Sequence, residues 1–119
     1  MTTSTSAFGH ATGTYKNLPS MDEPGVEAAI GDTFSNPMGS ALCSGFFELK
    51  AGQPLEYTYT YDEMKVVVEG EFHITDLDSG ETVVAGVRDV LFFPKDSRIR
   101  FETPDYALGF YTGQRSFAP

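Results

Sequence analysis

From Ser44 onward the chain reads as a series of short β-rich runs, each closed by turn chemistry. The runs are SGFFELKAG, EYTYTY, EMKVVVEG, EFHITDL, ETVVAG, DVLFFP, SRIRFET and YALGFYTG, broken by AGQP, DSG, AGVRD, PKDS and TPD. Eight strands this short, with almost no helical periodicity between them, predict an all-β fold, an antiparallel sandwich or barrel. The preceding residues carry no such pattern. Residues 1–43 are rich in Ser, Thr, Gly and Pro, and their one helix-like phrase, EPGVEAAIG, stops at Gly31. They are expected to form an irregular N-terminal arm with one or two short strands, wrapping the core or a partner subunit. Residues 44–119 are expected to form the barrel. At 119 residues the whole is one domain by size.

The formal charge of -9 argues against phosphate backbones and anionic lipid as partners, so no nucleic acid and no membrane is expected. The charge is uneven. Residues 48 to 81 carry nine acidic side chains against Lys50 and Lys65, whereas 88 to 100 is locally basic, with Arg88, Lys95, Arg98 and Arg100. Cys43 is the single cysteine, which excludes an internal disulfide and a thiolate cluster. The opening MTTSTSAFGHATG has neither a basic nor an apolar leader region, and no apolar run approaches the ~20 residues that span a bilayer. The simplest placement is cytoplasmic.

The most informative stretch is EYTYTYDEMKVVVEGE, residues 56 to 71. In a strand, alternation puts Tyr57, Tyr59 and Tyr61 on one face and Thr58 and Thr60 on the other. Glu63 and Lys65 share the tyrosines' parity unless a bulge intervenes at Tyr61–Asp62. Phenols buried in a row each require a hydrogen-bond partner, so the row either lines a site or packs a core.

The segment from Gly52 to Phe101 resembles the cupins, small jelly-roll β-barrels of antiparallel strands marked by two motifs. In the first, G-x5-HxH-x3,4-E-x6-G, Glu63 and Gly70 match the E-x6-G spacing, and VVVEGEFHI resembles the hairpin that follows. In the second, G-x5-P-x-G-x2-H-x3-N, RDVLFFPKDSRIRF matches around Asp89 and Pro94. The phrases YDEMKVVVEGEFHI and FFPKDSRIRFETPD are most similar to the EutQ-like cupins of ethanolamine utilisation, over roughly residues 45 to 113. The resemblance implies a cupin barrel and a homodimer.

The departures from the motifs concern chemistry. The HxH positions are held by Tyr57 and Tyr59, the last histidine position by Ile99, and two motif glycines by Arg88 and Asp96. Of four family metal ligands only Glu63 remains, and two phenols with pKa near 10 do not complete a set at neutral pH. No metal and no cofactor is therefore expected. An acetate-kinase-like activity has been proposed for the subfamily, but no G-x-x-x-x-G-K-[ST] phosphate loop is present here.

The cupin frame makes the lumen a small-molecule site walled by Phe47, Ile99, Phe101 and Phe110, with Tyr57 and Tyr61 as further ligand-binding residues. Glu63 beside Tyr59 can serve as a general base. Lys65 can hold an anionic group, act as an electrophile, or form a Schiff base. These are the candidate catalytic residues of a metal-independent lyase or isomerase acting on a small polar or carbonyl-containing metabolite. Equally open are a structural Glu63–Lys65 pair, tyrosines that only pack, and a non-catalytic ligand-binding or dimeric assembly module of a catabolic system. A metal enzyme drawing ligands from the arm is a third reading. His73, opposite in parity to Phe72 and Ile74, is expected on the outer face, and Cys43 is expected to be a buried small hydrophobe.

Overall fold

The computed structural model describes residues 8–36 and 41–115. The outermost parts assigned to the arm (1–7) and to the barrel (116–119) lie outside the described residues. Nine strands follow in order: β1 (Ala28–Asn36), β2 (Leu42–Lys50), β3 (Leu55–Thr58), β4 (Glu63–Gly70), β5 (Phe72–Asp76), β6 (Thr82–Ala85), β7 (Val90–Phe93), β8 (Arg98–Glu102) and β9 (Tyr106–Gly113). All eight sequence-predicted strands are present as β2 to β9. Among the described residues there is no helix, and hence none long and apolar enough to cross a membrane.

The strands form two antiparallel sheets, one ordered β1-β2-β9-β4-β7 and the other β3-β8-β5-β6. Their inner faces meet in one aromatic core. Phe47 of β2 stacks on Phe72 of β5 at 5.7 Å between centroids and meets the edge of Phe101 of β8 at 5.5 Å. Apolar area removed from water at about 25 cal/mol per Å² is what holds the sheets face to face. This is the jelly roll, flattened into two facing sheets.

The arm contributes one strand to the sheet. Residues 28–36 are a nine-residue strand paired with β2 along its length, apart from a register shift between Asp32 and Phe34. The sheet therefore reaches back to Ala28, and the boundary at residue 43 falls inside β2. The helix-like EPGVEAAIG contributes its last residues to β1, because the edge of β2 offers unpaired backbone groups that β1 satisfies. Residues 8–27 remain irregular apart from a bridge between Ser20 and Ala29.

The two missing motif glycines leave a visible trace. Arg88 and Asp96 both adopt left-handed backbone, with φ of 76° and 78°. Each sits in a tight turn: Arg88 N–H donates to Val67 O at 2.8 Å, and Asp96 N–H donates to Tyr59 O at 2.7 Å. The turn thus keeps the conformation that glycine serves best, with a side chain in its place. Gly70 (φ 67°) has no such latitude, because a Cβ there would overlap the Tyr106 carbonyl oxygen.

Left-handed backbone costs a residue with a Cβ roughly 1–2 kcal/mol, and glycine's extra unfolded-state entropy returns about 0.5–1 of that. Arg88→Gly should therefore raise the unfolding free energy by up to about 1 kcal/mol. Gly70→Ala should lower it by more than about 1 kcal/mol. Urea denaturation midpoints check both.

Candidate functional site

The chain leaves one sheet at Thr58 and enters the other at Glu63, and the intervening residues 59–62 turn the corner without a bulge. Inward and outward positions keep alternating throughout. Leu55, Tyr59, Glu63, Lys65 and Val67 are buried, Tyr57 and Tyr61 half-buried, and the residues between them largely exposed. Tyr57, Tyr59, Tyr61, Glu63 and Lys65 consequently line a single cavity of about 80 Å³. Phe47 and Phe101 form its apolar wall, as the sequence suggests.

At the closed end, Tyr59 donates its hydroxyl to Glu63 Oε2 at 2.6 Å, and Lys65 Nζ lies 3.6 Å from the same oxygen. Glu63 and Lys65 are only 3% and 4% exposed. Rings surround the ammonium, with Nζ 4.4 Å from the Phe47 centroid, 4.7 Å from Phe101 and 5.6 Å from Phe93. Its stem passes over Gly109, where a Cβ would come within 2.9 Å of Lys65 Cδ. Among the described residues the ammonium's one ionic partner is Glu63. Burial lowers the Lys65 pKa, and the Glu63 carboxylate opposes that shift. Burial raises the Tyr59 phenol well above its ordinary range, with Glu63 adding to the rise, so Tyr59 stays a proton donor.

At the mouth, Tyr57 and Tyr61 share a hydroxyl–hydroxyl bond of 2.9 Å. Beside them Arg115 grips Asp32 of β1 with two bonds of 2.9 and 3.1 Å, and Tyr111 donates to Asp32 at 2.5 Å. Gly45 leaves the room for this, since a Cβ there would fall 2.6 Å from the Tyr111 hydroxyl. Met21 of the arm and Ile30 of β1 complete the rim.

Two expectations change. Phe110 does not face the lumen: it lies on the outer face, edge-on to Phe46 at 5.2 Å, and Tyr111 takes the inward position. Ile99 points inward and is buried opposite Tyr57, but in the core behind the cavity wall rather than on it. The rim residues Arg115, Asp32, Tyr111, Met21 and Ile30 had no sequence signal as site residues. His73 is on the outer face, bonded to Glu71 at 2.6 Å, and Cys43 is buried in the core with its thiol pKa raised by burial.

The donor set does not fit a cupin metal. Of the four positions, Tyr59 is committed as a donor to Glu63, Ile99 has no donor atom, and Lys65 sets a cation 3.6 Å from the remaining carboxylate.

Two facing sheets, a lumen lined from the first motif and the two motif turns in place define a cupin-type jelly roll. An RmlC-like cupin from Shewanella frigidimarina shares the fold, with a TM-score of 0.60 at 18% identity over 86% of each chain. The chain belongs to the ethanolamine utilisation protein EutQ family, whose model matches residues 13–114. The solved ethanolamine utilisation protein Q of Salmonella typhimurium LT2 superposes with a TM-score of 0.73 at 32% identity, over 83% of this chain and 79% of that one. The curated acetate kinase EutQ of Salmonella typhimurium is 38% identical over 73 residues, which is 61% of this chain. The match covers only 31% of that relative's length.

The site also sets the response to alkali. Burial holds Tyr59, Tyr61, Tyr106 and Tyr111 above the ordinary tyrosine value near 10. Above that pH the unfolded chain loses phenolic protons first, so the native state binds more and stability falls as pH rises. Lys65, lowered, works in the opposite sense below its ordinary value, one group against four. Stability should therefore fall steeply from about pH 10 upward. Phenolate absorbance should appear together with unfolding, and Tyr111→Phe should flatten the fall.

Proposed function

We propose that the lumen binds a small polar or carbonyl-containing metabolite and acts on it without a metal, by side-chain acid–base chemistry of the lyase or isomerase kind. One observation carries this reading: a buried ammonium whose one ionic partner, a carboxylate 3.6 Å away, lines the same cavity and is also bonded to a phenol. A group left in that state is costly in a protein interior and is met in sites that complete it with a ligand. The cavity volume suits a molecule of a few heavy atoms, well below the ~300 Å³ at which drug-sized pockets begin.

Glu63 is the base in this reading. Tyr59 and Lys65 supply a hydrogen-bond donor and a positive charge to the oxygen on which charge develops. The ring walls exclude water and strengthen each of these interactions. The acetate kinase name belongs to longer relatives, and nothing in this reading rests on a nucleotide.

A second reading is supported by the outer face of the five-stranded sheet. Met64, Val90 and Phe92 are 53, 73 and 56% exposed and lie together, since Met64 pairs with Phe92 and Val66 with Val90. Such a face suits a homodimer or an assembly module. Light scattering tests it: Phe92→Glu should convert a dimer to a monomer.

For the main reading, a panel of small carbonyl compounds should contain one that stabilises the protein, by about 2.7 kcal/mol at a hundredfold excess over Kd. Glu63→Gln should abolish turnover of that compound, and Glu63→Gln/Lys65→Met should do so while leaving the melting temperature unchanged or higher. A panel without any stabilising compound would count against the lumen as a binding site.

A further inference from the structure

We propose that Lys65 is a covalent amine nucleophile that captures a short-chain aldehyde or small ketone in the lumen as an imine. This rests on the reading of the lumen as a binding site and names the substrate class and the bond. Four features of the site point to it.

The first is position. Lys65 is almost inaccessible whereas Tyr57 and Tyr61, on the same cavity, are half-buried, so the ammonium lies deeper than the two phenols. The second is the absence of competing bonds. Glu63, at 3.6 Å, is the one ionic partner of Nζ among the described residues. A lysine built only for structure is expected to use its donors on carbonyls or carboxylates at hydrogen-bond distance.

The third is the wall. Phe47, Phe93 and Phe101 surround Nζ, and their ring faces attract the ammonium. The water they exclude disfavours it, however, and burial is the larger effect, favouring the neutral amine with its free electron pair. The burial-driven lowering of its pKa agrees with that geometry. The fourth is the proton path. Glu63 Oε2 contacts both Lys65 and the Tyr59 hydroxyl, so one oxygen joins the amine to a phenol that keeps its proton.

The chemistry balances without a co-reactant. Lys65 first gives one ammonium proton to Glu63, and the neutral Nζ adds its electron pair to the carbonyl carbon, forming the C–N bond. The carbonyl π pair moves to oxygen, which takes a proton from Tyr59. The nitrogen of the carbinolamine returns a proton to the phenolate by way of the shared Glu63 oxygen. The hydroxyl then leaves as water with the proton that Glu63 received at the start, while the nitrogen pair forms the C=N bond. Ammonium and carbonyl give protonated imine and water, with Glu63 and Tyr59 restored and no change of oxidation state. The protonated imine keeps the charge of the lysine it replaces and retains Glu63 as its counterion. The substrate class follows from the same wall: rings on the sides and about 80 Å³ of room admit a short uncharged carbon chain.

The test is reductive trapping. Wild-type protein is incubated near neutral pH with propanal and cyanoborohydride, and the adducts are mapped by peptide mass spectrometry across its four lysines, Lys16, Lys50, Lys65 and Lys95. The expected result is one propyl adduct, on Lys65, formed well before the three others react. Lys65→Met should remove it, and Glu63→Gln should slow it by about a hundredfold or more. The mapping on wild-type protein is decisive even if a variant folds poorly. Adducts confined to Lys16, Lys50 and Lys95 would overturn the inference. Propanal that raises the melting temperature without labelling Lys65 would overturn the imine alone and leave the binding site standing. A full panel of small carbonyl compounds that neither binds nor labels would overturn both.

Discussion

The architecture depends on the corner at residues 59–62, where the chain passes from one sheet to the other without losing its two-residue period. Four hydrogen bonds fasten it. Tyr59 N–H donates to Ser97 O at 2.9 Å and Asp96 N–H to Tyr59 O at 2.7 Å. Lys95 N–H donates to the Asp62 carboxylate at 2.8 Å, and Gln114 N–H to Asp62 O at 2.9 Å. Backbone at a corner has lost its ladder partners, and these bonds restore them. A shift of one residue here would turn Glu63 and Lys65 outward and Met64 inward, because the side-chain period is two. The lumen's chemistry is thus set by backbone bonds several residues from it.

The central stretch was legible for that reason. An uninterrupted alternation from Tyr57 to Lys65 can be read from the letters alone, and the structure keeps all five residues on one cavity. The turns were legible too, and Arg88 and Asp96 retain a glycine-like conformation at the motif positions where glycine is missing. Phe110 was misplaced because β9 is central and buried on both faces, with Ala107, Leu108 and Gly109 all inaccessible. Size is then a misleading guide to direction. At Gly109 the inward position has no side chain, and Lys65 and Phe72 from other strands occupy the space before it. The Arg115–Asp32 pair spans 83 positions in sequence, and no local pattern announces a contact of that range.

The two ends of the cavity differ in how their charge is satisfied. At the mouth, Arg115 and Asp32 neutralise one another through two short bonds, with Tyr111 as a third partner. That arrangement suits a structural clasp between β1 and the end of β9, although Arg115 Nε is left buried without a partner among the described residues. At the closed end, Glu63 and Lys65 are nearly inaccessible and remain 3.6 Å apart, and the ammonium is otherwise surrounded by rings. Buried charges held this loosely do not recover their desolvation penalty through mutual attraction. On the proposed function, the inner cluster is a burden on stability that is retained for what it does to a bound molecule.

That claim has a direct thermodynamic test, the unfolding free energy of the Glu63→Gln/Lys65→Met double variant. Gln keeps an acceptor for the Tyr59 hydroxyl, and Met fills the ring-walled space without charge. The account predicts a double variant at least as stable as the wild type by guanidinium denaturation. A loss of about 3 kcal/mol or more, the scale on which a broken buried ion pair registers, would mark the cluster as structural and contradict it.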